Sequence, residues 1–293
     1  MSDPRLDLVI KDGVATLTIK RADKLNALDA DMVDALLPLC RTIERSDAFA
    51  VILTGDGDKS FCAGGDIAAW SSWSADEFGR HWVRDGHIAF DALARLSQPV
   101  IAVLNGHCLG GGLELAACAD YRIAEAHVKL GQPESGLGII PGWSGTQRAV
   151  RRFGAQLVRR MALFGDVFTA DEALQQGLVD RVVEKGAGLH AAHELTERLR
   201  LRSPRATELG KMMINAAEGE DRERVIEAFA GNLAADGRTD LRDALVDELG
   251  LRELGLQGAD DLGGVVERQG RLRRVGELAR RRLRRNRGLR NGD

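Results

Sequence analysis

The order of apolar runs predicts an α/β fold. Three observations carry it. Short strand-like runs alternate with stretches of helical period over roughly the first 185 residues. Two of those runs, Ala50-Val-Ile-Leu-Thr and Val100-Ile-Ala-Val-Leu, have the length and composition of buried strands. From Ala187 the pattern turns helical with no further strand candidate.

Taken in order, Leu6-Asp-Leu-Val-Ile and Val14-Ala-Thr-Leu-Thr-Ile flank Asp12-Gly13, a strong hairpin signal. A polar loop, Arg21 to Leu28, leads to Asp29, which has the chemistry of an N-cap. Met32, Leu36, Leu39, Cys40 and Ile43 then recur at helical spacing. After the strand at Ala50 comes a glycine-rich loop, Gly55 to Asp66, containing Phe61-Cys-Ala-Gly-Gly-Asp. Residues 75 to 96 read as one long helix, stopped by Pro99 ahead of the next strand. Residues 144 to 153 and 155 to 163 read as helices. Thr169-Ala-Asp-Glu172 is a capping box, and Gly177 ends the short helix it starts. Arg181-Val-Val-Glu is the last strand candidate.

The expected organisation is a core over 1–186, a helical region over 187–255 and an arginine-rich tail over 256–293. No lysine follows Lys211 and no aromatic residue follows Phe229. A basic tail can hold nucleic acid, but without interleaved aromatics for base stacking it is expected to be a solvated, flexible end. The same compositional shift admits two origins, a genuine extension or an altered reading frame of a GC-rich message.

Composition narrows the function classes. A net charge of −3 gives no general attraction to nucleic acid or anionic membrane. Cys40, Cys62, Cys108 and Cys118 form no C-x-x-C pair, which argues against a zinc site or disulfide framework and for a reducing compartment. No run approaches 18 apolar residues and the first ten lack a signal core, so a soluble cytoplasmic protein is expected.

The chemistry concentrates between Asn105 and Glu134. Gly110 to Gly112 separate a strand from a small-residue helix, leaving N–H groups free at the helix start. Glu114 lies in the first turn of that helix and Glu134 twenty residues on, behind Pro133. Free N–H groups and two carboxylates suit an oxyanion intermediate that must also gain and lose protons. Each piece also has a plainer reading: the glycines as close helix–strand packing, Glu114 as a solvated helix residue, Glu134 as a loop carboxylate. Trp70, Trp73 and Trp82 suit an apolar pocket or simple core packing, and Asp66 and Asp120 suit loop geometry. A serine hydrolase is excluded because Gly142-Trp-Ser-Gly-Thr146 fails G-x-S-x-G at its last position. A dinucleotide site fails likewise at the end of Gly136-Leu-Gly-Ile-Ile-Pro141.

Together the motifs resemble the crotonase (enoyl-CoA hydratase/isomerase) family. They are Lys24-Leu-Asn-Ala-Leu28, Phe61-Cys-Ala-Gly-Gly-Asp-Ile67, Val103 to Ala116 around the triple glycine, Gly131-Gln-Pro-Glu134, Gly138 to Arg148 and Thr169 to Asp180. The resemblance implies a spiral of ββα units closed by a C-terminal helical trimerisation region, as a homotrimer or dimer of trimers. It implies an acyl-CoA thioester as substrate, with no separate cofactor, no metal and no nucleic-acid or membrane partner. Gly65 and Gly111 match the oxyanion-hole positions, and Glu114 and Glu134 the two hydratase glutamates. Lys24, Ala63, Asp66 and Ile67 match positions that line coenzyme A. The implied reaction is syn addition of water to a 2-trans-enoyl-CoA, giving a 3-hydroxyacyl-CoA. Double-bond isomerisation, a specialised dehydration, and a non-catalytic CoA- or RNA-binding role are the alternatives. The family pattern is lost after about Leu233, where its closing helix is expected.

Overall fold

The computed structural model describes residues 3–70, 73–74 and 77–219. The arginine-rich tail and the helical region beyond 219 lie outside the described residues. Residues Met1–Lys211 form one compact unit and Met212–Asp293 a second, of which only the start, 212–219, is described.

Strands β1 (Leu6–Lys11) and β2 (Val14–Ile19) form the predicted hairpin, with Asp12 and Gly13 both at positive φ, 51° and 75°. A tight turn of that hand matches the twist of the strands it joins. β3 (Ala50–Gly55), β5 (Val100–Leu104), β7 (Tyr121–Glu125) and β10 (Arg181–Val183) extend the sheet in parallel, in the order β1-β2-β3-β5-β7-β10. Side chains alternate across its central strands. Val51 and Leu53 face the main core with Leu17, Ala102 and Leu104, while Ile52 faces the other side with Ile101, Val103 and Ile123. Helix α1 (Ala30–Glu44), capped by Asp29 accepting from the Met32 N–H at 3.1 Å, buries Met32, Leu36, Cys40 and Ile43 in the main core.

A second sheet was not visible in the sequence. β4 (Ser60–Cys62), β6 (His107–Leu109) and β8 (Lys129–Gly131) run parallel, and β9 (Val167–Thr169) joins antiparallel. Each follows a strand of the first sheet within a few residues, except β9. The chain therefore repeats strand, strand, helix, which is the spiral of ββα units. These strands are three residues long, too short for any period to register.

Between β4 and β5 lie α2 (Ile67–Trp70), a π-helical stretch (Phe78–Arg84) and α3 (Asp85–Ala94). The single long helix expected over residues 75 to 96 is thus split by a change in winding, and residues 75–76 lie outside the described set. α4 (Gly111–Ala116) follows β6, and α5 (Gln147–Phe153) and α6 (Ala155–Phe164) follow β8. The helix expected from Ser144 begins only at Gln147, because Ser144 sits at φ 78°. α7 (Ala170–Gln175) carries the predicted capping box. α8 (Gly188–Arg200) covers the outer face of the first sheet with Ala191, Ala192, Leu195 and Leu199, and α9 spans Pro204–Ala217. No helix among the described residues is long and apolar enough to cross a membrane.

Candidate active site

Three parallel strands of the second sheet position the site. Because they run the same way, their C-terminal ends open on one side, where loops rather than sheet meet a ligand. β4 runs into Gly64 and Gly65, β6 into Gly110 and Gly111, and β8 into Gln132 and Glu134. The Gly110 N–H donates to the Gly131 carbonyl at 2.9 Å, extending the ladder into the glycine run.

The two glycine loops meet backbone to backbone. Gly64 has φ 96°, and a Cβ on it would stand 2.9 Å from the Gly111 nitrogen. Only glycine satisfies both conditions. Among the described residues, no loop hydrogen bond between backbone groups uses the N–H of Gly65 or of Gly111. Gly111 is the first residue of α4, where an N–H has no acceptor within the helix. Two neighbouring donors are thus left for an external oxygen.

Glu114 is 3% exposed in the first turn of α4. Its Oε1 accepts from the Trp143 N–H at 2.7 Å and the Gly145 N–H at 2.6 Å. Burial raises its pKa to about 7, against the pull of the Trp143 N–H, and the charge of Glu134 acts in the same direction as burial. Glu134 opens a short 3-10 turn, Glu134–Leu137. Both its carboxyl oxygens are buried without a hydrogen-bond partner, and burial raises its pKa as well. It is aimed at the glycine run, since a Cβ on Gly110 would lie 3.2 Å from its Oε1. Hydrogen bonds from N–H groups favour a carboxyl's anion, so the two carboxyls differ in what holds them although burial raises both. Such a site can hold a carbonyl oxygen while one proton leaves and another arrives.

The other residues singled out from the sequence fall around this centre. Ala63 lines an open groove of about 570 Å³ with Leu25, Lys59, His107, Leu109, His127 and Lys185. Lys24 ends the exposed turn Ala22–Lys24 and is not among the residues lining that groove. Asp66 accepts from Arg21 Nη2 at 2.8 Å and from the Ala68 N–H at 3.2 Å, and Ile67 starts α2 half exposed. His107 Nδ1 accepts from the Lys129 N–H at 3.1 Å in that same groove.

Sequence reasoning missed Trp143 and Gly145 as the groups that hold Glu114. Their loop, Gly142 to Thr146, fails as a nucleophile motif and falls within the family-like stretch Gly138 to Arg148, and neither reading gives it a role. A hydrogen bond of 2.9 Å between Ser144 Oγ and His87 Nδ1 pins this loop to α3. Gly142 and Gly145, on either side of Trp143-Ser144, were the available signal for a backbone donor loop.

Fold and site together bring the Gly64-Gly65 and Gly110-Gly111 loops into contact, with the buried carboxyls of Glu114 and Glu134 beside them. The enoyl-CoA hydratase/isomerase family profile matches residues 9–243, and the chain belongs to that family. It is 38% identical over 244 residues to the short-chain-enoyl-CoA hydratase of Clostridium acetobutylicum, covering 81% of this chain and 93% of that one. It is also 38% identical to the crotonyl-CoA hydratase of Syntrophomonas wolfei, over 76% of this chain and 86% of the relative. The crystal structure of the enoyl-CoA hydratase from Bacillus anthracis superposes with a TM-score of 0.72 at 30% identity, covering 85% of this chain and 96% of that one.

Proposed function

We propose that this protein adds water to a 2-trans-enoyl-CoA, with Glu114 and Glu134 as the proton-transfer pair and Gly65 and Gly111 as the oxyanion hole. The observation that carries the assignment is the contrast between the carboxyls: Glu114 is held by two N–H groups, and Glu134 is buried with none. The thioester oxygen accepts from the Gly65 and Gly111 N–H groups, which draws electrons from C3. Ionised Glu114 takes a proton from water as the water oxygen bonds to C3. Neutral Glu134 gives its proton to C2, the carbonyl double bond re-forms, and the negative charge passes to Glu134. The proton gained by Glu114 then resets Glu134. Double-bond isomerisation needs one acid–base group, so a second buried carboxyl in an N–H cradle favours hydration.

The groove beside Ala63 offers Lys59 to the anionic end of coenzyme A, with Lys185 on the same lining paired to Asp58 at 2.7 Å. Coenzyme A enters as part of the substrate, and the chemistry calls for no bound cofactor or metal. The assembly proposed is a homotrimer or a pair of trimers in the cytoplasm. Exposed Leu137, Ile140, Leu163 and Phe164 support it as the kind of apolar surface an oligomer covers. The test is loss of the conjugated-thioester absorbance of crotonyl-CoA with purified protein. A null result across crotonyl-CoA and longer or branched enoyl-CoAs would overturn the hydratase reading.

A further inference from the structure

The two oxyanion glycines lie between unlike surroundings. On one side is the open groove next to Ala63, with its lysines and histidines. On the other is a dense aromatic group. A Cβ on Gly65 would stand 2.5 Å from Trp82 Cζ2, and one on Gly111 would stand 3.0 Å from Trp143 Cζ3. The Trp143 ring centroid is 4.5 Å from that of Trp82 and 4.8 Å from that of Phe90. All three side chains are buried.

The Trp143 indole is fitted rather than merely packed. Its Nε1 donates to the Trp82 carbonyl at 2.9 Å, near the end of the π-helical stretch. A Cβ on Gly86 would stand 1.9 Å from the same Nε1, so α3 carries a glycine where the ring lies. Glycine inside a helix is less favourable than alanine, which seating the indole offsets. The backbone N–H of this same residue holds Glu114, so the wall and the proton-transfer group share one rigid support.

Resting on the hydratase reading, we propose that the Trp143 indole, seated on Gly86 and backed by Trp82 and Phe90, is the end wall of the acyl pocket and restricts it to short acyl chains. The anionic coenzyme takes the open basic groove, so the acyl group must run from the shared carbonyl position toward the aromatic side. There the chain meets rings close to the oxyanion glycines, held by a hydrogen bond and by contact with one another. Each methylene that must displace such packing is opposed, whereas a short chain lies in front of it.

The experiment measures binding and turnover separately. Titration calorimetry of the full chain with butyryl-, hexanoyl-, octanoyl- and decanoyl-CoA reads the wall without catalysis, and the matching 2-enoyl-CoAs read turnover. The expected result is affinity and kcat/KM falling by about 100-fold or more from the shortest to the longest chain. In Trp143→Ala the ratio of decanoyl to butyryl affinity should rise at least about tenfold, and in Trp143→Phe by less. Equal affinity across chain lengths in the unmodified protein overturns the wall even if crotonyl-CoA is hydrated. Length-selective binding that Trp143→Ala relaxes, without turnover of any enoyl-CoA, supports the wall and sinks the hydratase reading instead. Should Trp143→Ala fail to fold, the unmodified binding series and Trp143→Phe decide it.

Discussion

Replacing Glu114 with glutamine removes a charge and keeps the acceptor that the Trp143 and Gly145 N–H groups need. The loop should therefore hold while proton transfer fails, lowering crotonyl-CoA hydration by about 10²–10⁴. Stability should move the other way. Burial raises Glu114 to about 7 from an ordinary 4.5, so the folded chain keeps a proton that the unfolded chain releases between those values. Its contribution falls as pH climbs through that window and is least favourable above it, by about 3 kcal/mol. Glu114→Gln should accordingly melt several degrees higher than the unmodified protein at pH 8 and no higher below pH 4.5, read by calorimetry at both pH values. An equal melting temperature at pH 8 would show that Glu114 is not held against its ionisation. Glu134→Gln should lose activity to a similar extent; near-full hydration by it would remove Glu134 from the mechanism. The identities of both acids were legible in the sequence through their motifs. Their difference was not, because the N–H groups that hold Glu114 come from residues 29 and 31 positions away.

Among the elements, the junctions where β4 and β6 end matter most. Alanine at Gly64 must leave a positive φ or push the Gly111 nitrogen away, and neither neighbour is a flexible side chain. Gly64→Ala should lower kcat by about 10²–10³, the loss of one oxyanion donor, with a lower melting temperature. Retained activity would separate this loop from the oxyanion hole. At the other end of the fold, Lys211 on α9 donates to the Gln98 carbonyl at 3.0 Å and pairs with Asp120 at 2.7 Å. Asp120 also accepts from the Val100 N–H at 2.8 Å, so the pair ties α9 to the start of β5. Lys211 is almost fully buried, and Lys211→Met should cost about 2 kcal/mol in a urea melt, less than for a pair with both charges buried. Pairing it with Asp120→Asn should recover part of that loss; single-variant costs that simply add in the double variant would show the two charges act independently. The capping box at Thr169 and the hairpin at Asp12-Gly13 were readable because each is written in adjacent residues. The π-helical stretch was not, since its apolar members recur at intervals an ordinary helix also satisfies.

At the scale of the whole molecule, the proposed assembly predicts a particle three or six times the 31.8 kDa chain in light scattering at micromolar concentration. A monomer at that concentration would leave Leu137, Ile140, Leu163 and Phe164 as exposed apolar surface without that partner. The parallel order of the first sheet also bears on function. Strands β3, β5 and β7 each hand the chain to the second sheet within a few residues, so these three passages end at the same side. One spiral thus brings Gly65, Gly111 and Glu134 together from three separate turns.

The sequence by itself determined the alternation of strands and helices, the caps and turns, and the positions of the two glutamates and the glycines proposed as the reacting site. These are carried by neighbouring residues or by short motifs, and local propensity acts over that range. Only the tertiary structure decided that Glu114 is cradled and Glu134 unpartnered, that a second sheet exists, and that Trp143 stands on Gly86 against the oxyanion glycines. Strands of three residues have no period to read, and contacts between residues tens of positions apart leave no local trace. The difference between two like carboxyls is a matter of burial and of which N–H groups arrive beside them, and those arrive only when the chain closes its spiral.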